Sequence, residues 1–496
     1  MARAKGDRPV LDYSDCARTA FHEYTQVEVI AVGAARAMTL SGGRTLVVGL
    51  GESGLAAARW LVTQGSRVTV SEQQRVSDLD KAILGDLLKS GIELELGGHT
   101  VKTFTETDLI VVSPGVPLDI KPLAEARGKG IPIIGEMELA SRYLKTPSIA
   151  VTGTNGKSTV VHLIGDMLLK GGRNVFVGGN IGRPLTHYIG GEQRADYVVL
   201  EVSSFQLDTI QTFSPLVALI LNVSPDHLDR YADYNAYIRS KERISANQGR
   251  GQTLILNDDD PVLRKLQPKD GPTVLRYGLK GRQGRHAFLD NGQIKARLPG
   301  GETIALSLDE FSLPGDHNTA NVMAATLTSL ALRVFPGAIQ EAVDHFRGLP
   351  HRTELVDTVG GVAFYDDSKA TNIDATIKSI ASFSGPVVLI AGGRHKGSDY
   401  ADLVEAASQR IKGAVFLGEA SCLLAEAFGD KIPWCKAATM TDAVSLAFDQ
   451  AREGDVVLLA PACSSFDMFR DFRHRGAAFR EAVRRLKNGA QGKAPS

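Results

Sequence analysis

The chain has 496 residues, of which 43% are hydrophobic and 23% charged, as in globular proteins of two to four domains at roughly 100–200 residues each. Lys plus Arg equals Asp plus Glu at 56 each, so no net charge attracts nucleic acid or an anionic membrane. The cysteines form no C-x-x-C pair, which excludes zinc-ribbon and thioredoxin motifs; they are Cys16, Cys422, Cys435 and Cys463. Sparse cysteines suit a reducing cytoplasm, and the central apolar run at 216–223 is too short to span a bilayer. We therefore expect a cytoplasmic protein without nucleic-acid or membrane partners.

The first 43 residues show little periodicity and no signal-peptide pattern. Because Met38 lies just before the first clear strand, we expect this extension to be either a disordered tail or the product of a mis-annotated start. The intact mass of the natively expressed protein distinguishes the two.

Short runs of Val, Ile and Leu alternate with helical patterns along the rest of the chain. The predicted strands are residues 45–48, 67–70, 109–112, 148–152, 197–201, 218–223, 253–256, 387–391, 414–417 and 456–459. Strands that alternate with helices predict an α/β fold with parallel sheets. We divide the chain near residues 135–138 and at 348–350, where Gly and Pro end a helical stretch. The predicted domains are 44–136, 137–348 and 349–496, with irregular or short-strand structure at 257–313.

A glycine-rich loop joins the strand at 148–152 to a helix predicted over 160–170. It reads Gly153-Thr154-Asn155-Gly156-Lys157-Ser158-Thr159. Glycines let backbone N–H groups face an anion, and the helix N-terminus adds partial positive charge. Lys157 would contact the outer phosphates of ATP, and Ser158 or Thr159 would offer Mg²⁺ a hydroxyl. The spacing is tighter than G-x-x-x-x-G-K-[ST], but the strand–loop–helix context favours ATP binding over a tight turn with a chance Lys-Ser.

Further segments resemble successive motifs of the Mur ligase family, which includes folylpolyglutamate synthases. They are the glycine-rich loop, Gly178-Gly179-Asn180-Ile181-Gly182, LEVSSFQL at 200–207 and NVSPDHLD at 222–229. The resemblance extends from about residue 44 to 487. It implies a Rossmann-like first domain, a central P-loop ATPase-like domain and a Rossmann-like C-terminal domain.

Two candidate metal ligands follow predicted strands, at the sheet edge where open α/β sheets bind ligands. Glu201 ends one strand and His227 lies just after another, and both suit an ion that bridges ATP phosphates. The resemblance implies that Lys241 carries CO₂ as a carbamate, although a plain surface lysine is the alternative. It thus implies two Mg²⁺ ions bound by Ser158, Glu201, His227 and carbamylated Lys241, with Lys157, His227 and Lys241 catalytic.

The C-terminal third matches family positions for ATP and for the amino acid. Arg352 and Asp367 match nucleotide contacts, and either Asn318 or Asn321 matches the segment near adenine. The positions implied for D-glutamate are Lys369, Thr371, Lys396, Ser465, Phe466 and Phe472. The Asn-Pro-Arg signature of meso-diaminopimelate-adding members is absent from the sequence, so the match is closest to the D-glutamate-adding members.

Three local features of this third have a structural interpretation. Cys463 lacks a His–Asn context and is expected to be a packed thiol. The phenylalanines 466, 469 and 472 recur at helical spacing, which is more often core than site. The basic stretch 470–487 is interpreted as a solvated helical face.

The first domain carries a dinucleotide fingerprint, Gly49-Leu50-Gly51-Glu52-Ser53-Gly54, with Glu72 near the position of a ribose-binding acid. A nicotinamide-dependent dehydrogenase is therefore the rival class. In the Mur ligase family this domain holds UDP, which implies a substrate site at Gly51, Glu52, Ser53, Glu72, Ser113, Gly115, Asn180, Ser203 and Gln206.

The resemblance implies an ATP-dependent amide ligase of peptidoglycan precursor synthesis. The γ-phosphate of ATP moves to the carboxylate of UDP-N-acetylmuramoyl-L-alanine, and the amine of D-glutamate then displaces phosphate from the acyl phosphate. Sites divided between two domains imply closure that excludes water. We expect a monomer; a different amino acid or a non-catalytic nucleotide-binding scaffold remains an alternative.

Overall fold

A computed structural model describes residues 40–268, 271–397 and 399–491, all within the unit that spans residues 38–496. The predicted tail or mis-annotated start, with Met38, lies outside the described residues except for residues 40–43. Leu40 is buried and packs into the hydrophobic core of the first domain and its neighbour. Within the described ranges, no helix combines the length and the apolar character that a membrane span requires.

The first sheet has five parallel strands in the order β3-β2-β1-β4-β5, which is the strand order of a Rossmann fold. Its strands are β1 Arg44–Val48, β2 Arg67–Glu72, β3 Glu93–Leu96, β4 Leu109–Val112 and β5 Ile133–Gly135. Its helices are α1 Glu52–Thr63, α2 Lys81–Lys89, α3 Val101–Thr105, α4 Lys121–Gly128 and α5 Glu136–Ser141, with a 3₁₀ turn at Val76–Asp78. The central strands β1 and β4 are buried except for Arg44 at the start of β1, which is why residues 46–48 and 109–112 are runs of Leu, Ile and Val.

The second sheet has nine strands in the order β14-β13-β12-β11-β10-β9-β6-β8-β7. They are β6 Ser148–Thr152, β7 Val175–Gly179, β8 Tyr197–Glu201, β9 Val217–Ile220, β10 Thr253–Asn257, β11 Thr273–Tyr277, β12 Ala287–Asp290, β13 Gln293–Ala296 and β14 Ile304–Ser307. The β12–β13 and β13–β14 pairings are antiparallel. The helices are α6 Lys157–Lys170, α7 Leu185–Ile189, α8 Ser204–Leu207, α9 Tyr234–Glu242, α10 Asp316–Ala331 and α11 Pro336–His345, with 3₁₀ turns at Arg243–Ser245 and Leu263–Lys265.

The third sheet has six strands in the order β15-β16-β20-β17-β18-β19, all parallel except the β15–β16 pair. They are β15 Glu354–Val359, β16 Val362–Asp366, β17 Val387–Gly392, β18 Ile411–Leu417, β19 Trp434–Lys436 and β20 Val456–Leu459. The helices are α12 Ile373–Ala381, α13 Ala401–Ala407, α14 Ser421–Phe428, α15 Met440–Gln450 and α16 Phe472–Gln491. The predicted three-part α/β fold is confirmed; the exact domain limits stay a prediction.

The order of the strands places the chemistry. β8, β6 and β9 are neighbours, so the loops after them meet at one sheet edge. Glu201 ends β8, the glycine-rich loop follows β6, and residues 222–229 follow β9. β16, β20 and β17 are neighbours in the third sheet, and the loops after them carry residues 367–371, 461–466 and 393–397.

Several local predictions were wrong. The strand predicted at 218–223 ends at Ile220, and the following residues form the buried start of a loop. Residues 466–471 are not helical, because α16 begins only at Phe472. The stretch 470–487 is not a fully solvated face, since Arg475 on α16 is only 1% exposed.

Candidate active site

The glycine-rich loop leaves β6 and enters α6 through Gly156, whose φ of 85° is in the left-handed region. A Cβ at this position would lie 2.5 Å from Asn321 Oδ1, so the close approach of α10 also requires glycine. No side chain caps α6, and its first N–H groups are therefore available to an anion. The helix starts three residues before the predicted residue 160, so Lys157, Ser158 and Thr159 form its first turn.

Lys157 folds back over the loop, and its Nζ donates to the carbonyl oxygens of Gly153 and Thr154 at 2.9 Å each. Burial lowers the pKa of Lys157, whereas the negative charges of Glu201 and Asp226 act in the opposite direction. The loop is pinned from the other side by Asn222, whose Oδ1 accepts from Asn155 N at 2.8 Å. The Lys157 ammonium is thus held against the backbone of the loop.

Glu201 lies beside the first turn of α6. Its Oε2 accepts from Ser158 Oγ, and its Oε1 accepts from Asn180 Nδ2 at 3.0 Å. Burial raises the pKa of Glu201, but Lys157 and these hydrogen bonds outweigh it, so the pKa lies below its ordinary value. The side chain is therefore an anion in contact with a hydroxyl.

His227 and Asp226 lie in the loop between β9 and α9. His227 has a φ of 56°, a strained conformation typical of functional sites. Burial lowers the pKa of His227 to about 4, so the imidazole is neutral at physiological pH and can bind a metal ion. Asp226 is buried, and its Oδ1 lies 3.5 Å from the Nζ of Lys396 in the C-terminal domain.

Lys241 on α9 is only 2% exposed and is not the surface lysine of the alternative interpretation. Its Nζ donates to Gly153 O at 2.9 Å and lies 4.4 Å from the centre of the Tyr237 ring. Lys157 bonds to the same carbonyl oxygen. Burial and then the charge of Lys157 lower the pKa of Lys241 well below its ordinary value, which favours a neutral amine.

The C-terminal domain contacts the loop directly. Arg352 Nη2 donates to Ser158 Oγ, and Asn155 Nδ2 donates to Asp374 Oδ2 at 2.6 Å. The residues that flank Arg352 both have positive φ values, 63° for His351 and 46° for Thr353. This strained turn aims the guanidinium at the phosphate-binding loop.

A pocket lies between the central and C-terminal domains. Its lining includes predicted nucleotide residues: Asn155, Gly156, Thr159, Asn318, Asn321, Arg352 and Asp367. Both Asn318 and Asn321 line the pocket, so its lining does not decide which of them lies near adenine. Burial raises the pKa of Asp367 to about 6. The pocket also contains residues that sequence reasoning missed, among them His317 and Lys378.

Only some of the residues predicted to bind D-glutamate lie close together. Lys369 Nζ lies 4.3 Å from the centre of the Phe472 ring, and burial lowers the pKa of Lys369 to about 8. Ser465 is buried in the loop after β20, and Thr371 follows Lys369 in the loop after β16. Phe466 is 63% exposed and does not pack with the others.

The predicted UDP residues lie in two groups. In the first domain, Glu72 Oε2 accepts from Leu50 N at 2.6 Å, so this acid orders the loop of the fingerprint. Ser113 Oγ donates to Gly49 O at 3.0 Å, and Gly51, Glu52 and Ser53 start α1.

In the central domain, Ser203 and Gln206 form the capping box of α8, while Asn180 binds Glu201. Gly115 O accepts from Arg230 Nη1 at 3.2 Å, which joins the first domain to the central domain. Arg230 was missed, although it lies one residue beyond the NVSPDHLD motif.

These elements define a three-domain α/β protein with a pocket between its central and C-terminal domains. Residues 43–135 match the Mur ligase MurD-like N-terminal domain, 151–329 the Mur ligase middle domain, and 351–463 the Mur ligase glutamate ligase domain. The chain belongs to the Mur ligase family.

Similar proteins include UDP-N-acetylmuramoylalanine–D-glutamate ligases from several bacteria. Those of Desulfosudis oleivorans and Koribacter versatilis are each 44% identical over 90% of this chain, and the alignment covers 97% and 99% of their lengths. That of Geotalea daltonii is 42% identical over 91% of this chain and 99% of its own length.

Solved structures with the same fold are more distant in sequence. UDP-N-acetylmuramate–alanine ligase from Thermotoga maritima has a TM-score of 0.57 at 19% identity, covering 90% of this chain and 100% of the other. The MurF ligase of Thermotoga maritima in complex with ADP has a TM-score of 0.55 at 18% identity, covering 90% and 96%. At these identities the likeness establishes the fold.

Proposed function

We propose that this chain is an ATP-dependent amide ligase that adds D-glutamate to UDP-N-acetylmuramoyl-L-alanine in the synthesis of peptidoglycan precursors. The observation that carries the proposal is the meeting of two sheet edges. Lys396 of the C-terminal edge lies 3.5 Å from Asp226, directly beside the phosphate-handling edge of the central domain. An amino-acid carboxylate bound by Lys396 would thus present its amine to a carboxyl group activated by ATP. Relatives at 44% identity with the same named activity support this choice of amino acid.

ATP would bind in the pocket between the domains. The loop from Gly153 to Gly156 and the start of α6 direct N–H groups at the phosphates, while Lys157 and Arg352 supply positive charge. Asn318, Asn321 and Asp367 line the rest of the pocket and would contact the nucleoside. These groups are fixed before the reaction, so they can stabilise the charge that develops as the γ-phosphate is transferred.

The donors in the site fit Mg²⁺ bound together with ATP. No group of three or more His, Cys, Asp and Glu side chains in the described ranges is arranged as a metal site. The contact between Ser158 Oγ and Glu201 Oε2 offers the oxygen ligands that Mg²⁺ prefers alongside phosphate oxygens. The neutral imidazole of His227 and a carbamate on Lys241 would hold a second ion. When bound, Mg²⁺ would neutralise negative charge on the phosphates.

The surroundings of Lys241 support carbamylation. Lys241, which is buried, and Lys157, which is half-buried, donate to the same carbonyl oxygen. Burial and the charge of Lys157 lower the pKa of Lys241 well below its ordinary value, which favours a neutral amine there. The lone pair on Nζ would attack CO₂, forming an N–C bond, and the nitrogen would release a proton. The resulting anion would also remove the repulsion between the two lysine side chains.

The reaction then has two steps. The carboxylate of UDP-N-acetylmuramoyl-L-alanine attacks the γ-phosphorus and ADP leaves, giving an acyl phosphate. The amine of D-glutamate attacks the acyl carbon, loses a proton as the C–N bond forms, and the C–O bond to phosphate breaks. Arg352 of the C-terminal domain donates to Ser158, and this contact between the domains would keep water from the acyl phosphate.

The substrates would lie on opposite sides of this centre. D-glutamate would be held by Lys369, Thr371, Lys396, Ser465 and Phe472, with Phe466 covering it only on binding because that ring is exposed. The UDP group would contact Gly51, Glu52, Ser53, Glu72, Ser113 and Gly115, with Asn180, Ser203 and Gln206 toward the acyl end. We further propose that the enzyme is a cytoplasmic monomer without nucleic-acid or membrane partners.

The test is phosphate release from ATP in the presence of UDP-N-acetylmuramoyl-L-alanine and one amino acid at a time. We expect release with D-glutamate and little with L-lysine or meso-diaminopimelate. Equal rates with the three would overturn the assignment of the amino acid. Enhanced NADH fluorescence on mixing with the protein, without binding of the UDP-sugar, would favour the dehydrogenase alternative instead.

A further inference from the structure

A buried arginine lies at the start of the C-terminal helix α16. Arg475 is 1% exposed, and its guanidinium is surrounded by acceptors. Nε donates to Ser368 Oγ at 3.0 Å, and Nη2 donates to the carbonyl oxygens of Ser368 at 2.9 Å and Cys463 at 3.2 Å. Nη1 donates to the same carbonyl oxygen of Cys463 and to those of Ser464 and Gly392, at 3.2–3.4 Å. The planar group thus binds three separate stretches of backbone at once.

This arrangement is not an ordinary ion pair. No carboxylate lies within ion-pair distance of Arg475 in the part of the chain that the structure describes; the compensation comes from carbonyl dipoles and one hydroxyl. A buried cation is costly unless its donors are satisfied, so the site has to keep these carbonyls in place. Burial lowers the pKa of Arg475 only to about 10, which leaves it charged at physiological pH.

The three stretches are the loops that follow β16, β17 and β20, the adjacent strands at the centre of the third sheet. Ser368 directly precedes Lys369, Ser464 directly precedes Ser465, and Gly392 ends β17 just before the loop that carries Lys396. Phe472 lies one helical turn before Arg475, and its carbonyl accepts from Ser368 Oγ at 2.8 Å. Each proposed amino-acid contact on these loops is therefore close in sequence to a residue that hydrogen-bonds with Arg475 or Ser368.

The chain makes room for the guanidinium. Gly393 has a φ of 133°, and a Cβ there would lie 3.1 Å from Nη1 and 2.2 Å from Ser464 O. A Cβ at Gly476 would lie 2.1 Å from His351 Nδ1, next to the turn that carries Arg352. Glycine at both positions lets backbone and helix approach close enough for one side chain to reach all three loops.

We propose that Arg475 is the positioning residue of the amino-acid subsite, holding the loops that carry Lys369, Lys396 and Ser465 in a single relative arrangement. The inference rests on the proposed function, because it names those side chains as contacts of the incoming amino acid. Arg475 itself lies behind the loops and touches backbone. Its effect is therefore on the spacing of the contacts, which catalysis tolerates poorly: misplacement by about 1 Å can cost up to 100-fold.

Steady-state kinetics of Arg475→Lys test the proposal. Lysine keeps the charge but cannot span three loops, because it has no planar fork of donors. We expect the KM for D-glutamate to rise about 10-fold or more, with a much smaller change in the KM for UDP-N-acetylmuramoyl-L-alanine. In Arg475→Ala, added methylguanidinium should partly restore the KM for D-glutamate, whereas methylammonium should not.

Two further variants keep the test decisive. Arg484→Lys makes the same exchange at an exposed position of α16 and should leave every KM unchanged. Ser368→Ala is milder than the arginine variants and removes one acceptor of Nε, so it should raise the KM for D-glutamate selectively even if Arg475→Lys does not fold. Equal rises in all KM values, or an unchanged KM for D-glutamate in Ser368→Ala, would overturn the positioning role. Wild-type release of phosphate that does not depend on D-glutamate would instead count against the proposed function.

Discussion

Replacing Asp374 with alanine removes an acceptor that joins the central and C-terminal domains. Asp374 is the second residue of α12, and its Oδ2 accepts from Asn155 Nδ2 at 2.6 Å, Ser224 Oγ at 3.0 Å and Lys378 Nζ at 2.7 Å. The first two donors belong to the central domain. Asn155 is part of the phosphate-binding loop, so the bond couples domain closure to the ATP site.

The size of the effect follows from these two bonds. A hydrogen bond to a charged group contributes about 1.5–3 kcal/mol. The Asp374 side chain is 28% exposed, so solvent reduces this, and we take about 1 kcal/mol for each bond across the interface. The sum of about 2 kcal/mol corresponds to a factor of about 30 in the population of the closed arrangement. Asp374→Ala should therefore lower kcat/KM for ATP by up to about 30-fold, while the free energy of unfolding changes little.

The assay is phosphate release with varied ATP at saturating concentrations of the other substrates. Asp402 is a matched control, since it is also an acid at the second residue of a helix in the same domain and is exposed. Asp402→Ala should behave as wild type. If Asp374→Ala stays within twofold of wild type in kcat/KM for ATP, these bonds do not hold the active arrangement and the reasoning fails.

Other changes probe the modified lysine, a buried acid and a close packing contact. Lys241→Ala should lose activity and regain part of it with added short-chain carboxylic acids, because these can replace a carbamate; wild-type activity without them would refute the role. Burial raises the pKa of Glu136, whose Oε2 has no hydrogen-bond partner among the described residues, so its contribution to stability falls as pH rises through the folded pKa. The stability of Glu136→Gln relative to wild type, measured by thermal unfolding, should therefore increase as pH rises above the ordinary pKa of a glutamate, and a constant difference would contradict this. Gly54→Ala should destabilise the first domain by more than about 3 kcal/mol, since a Cβ would lie 1.9 Å from Gly49 O, and unchanged denaturant unfolding would rule this out.

The parts of the fold that the sequence predicts well are those with strong local signals. Strands β4 and β6 are buried along their whole length, so their central residues are apolar and their limits match the prediction. β19 has only three residues, Trp434–Lys436, and carries no such pattern. The strand at 217–220 was predicted too long because its apolar run continues into the following loop, where Leu221 and Val223 are buried.

The candidate site divides in the same way. The glycine-rich loop, Glu201 and His227 were predictable because each follows a strand within one recognisable segment. The contacts of Asp226 with Lys396 and of Asp374 with Asn155 join positions far apart in the sequence. Hydrophobic periodicity reflects local structure only, so it does not predict a contact between two such distant residues.

Arg475 was misinterpreted because a basic residue in a basic stretch is usually solvated. Its acceptors are backbone carbonyls, which leave no mark in the sequence. The neighbouring Gly476 is the only local sign of a close approach, and its meaning becomes apparent once His351 is seen packed against it.

The most direct test of the account is the dependence of ATP turnover on the amino acid. Purified protein, UDP-N-acetylmuramoyl-L-alanine and Mg-ATP should release phosphate at a rate that rises to saturation with D-glutamate, with one amide product formed per phosphate. Phosphate release that is indifferent to D-glutamate, or that proceeds equally well with L-lysine, would contradict the assignment of this chain as a D-glutamate-adding ligase.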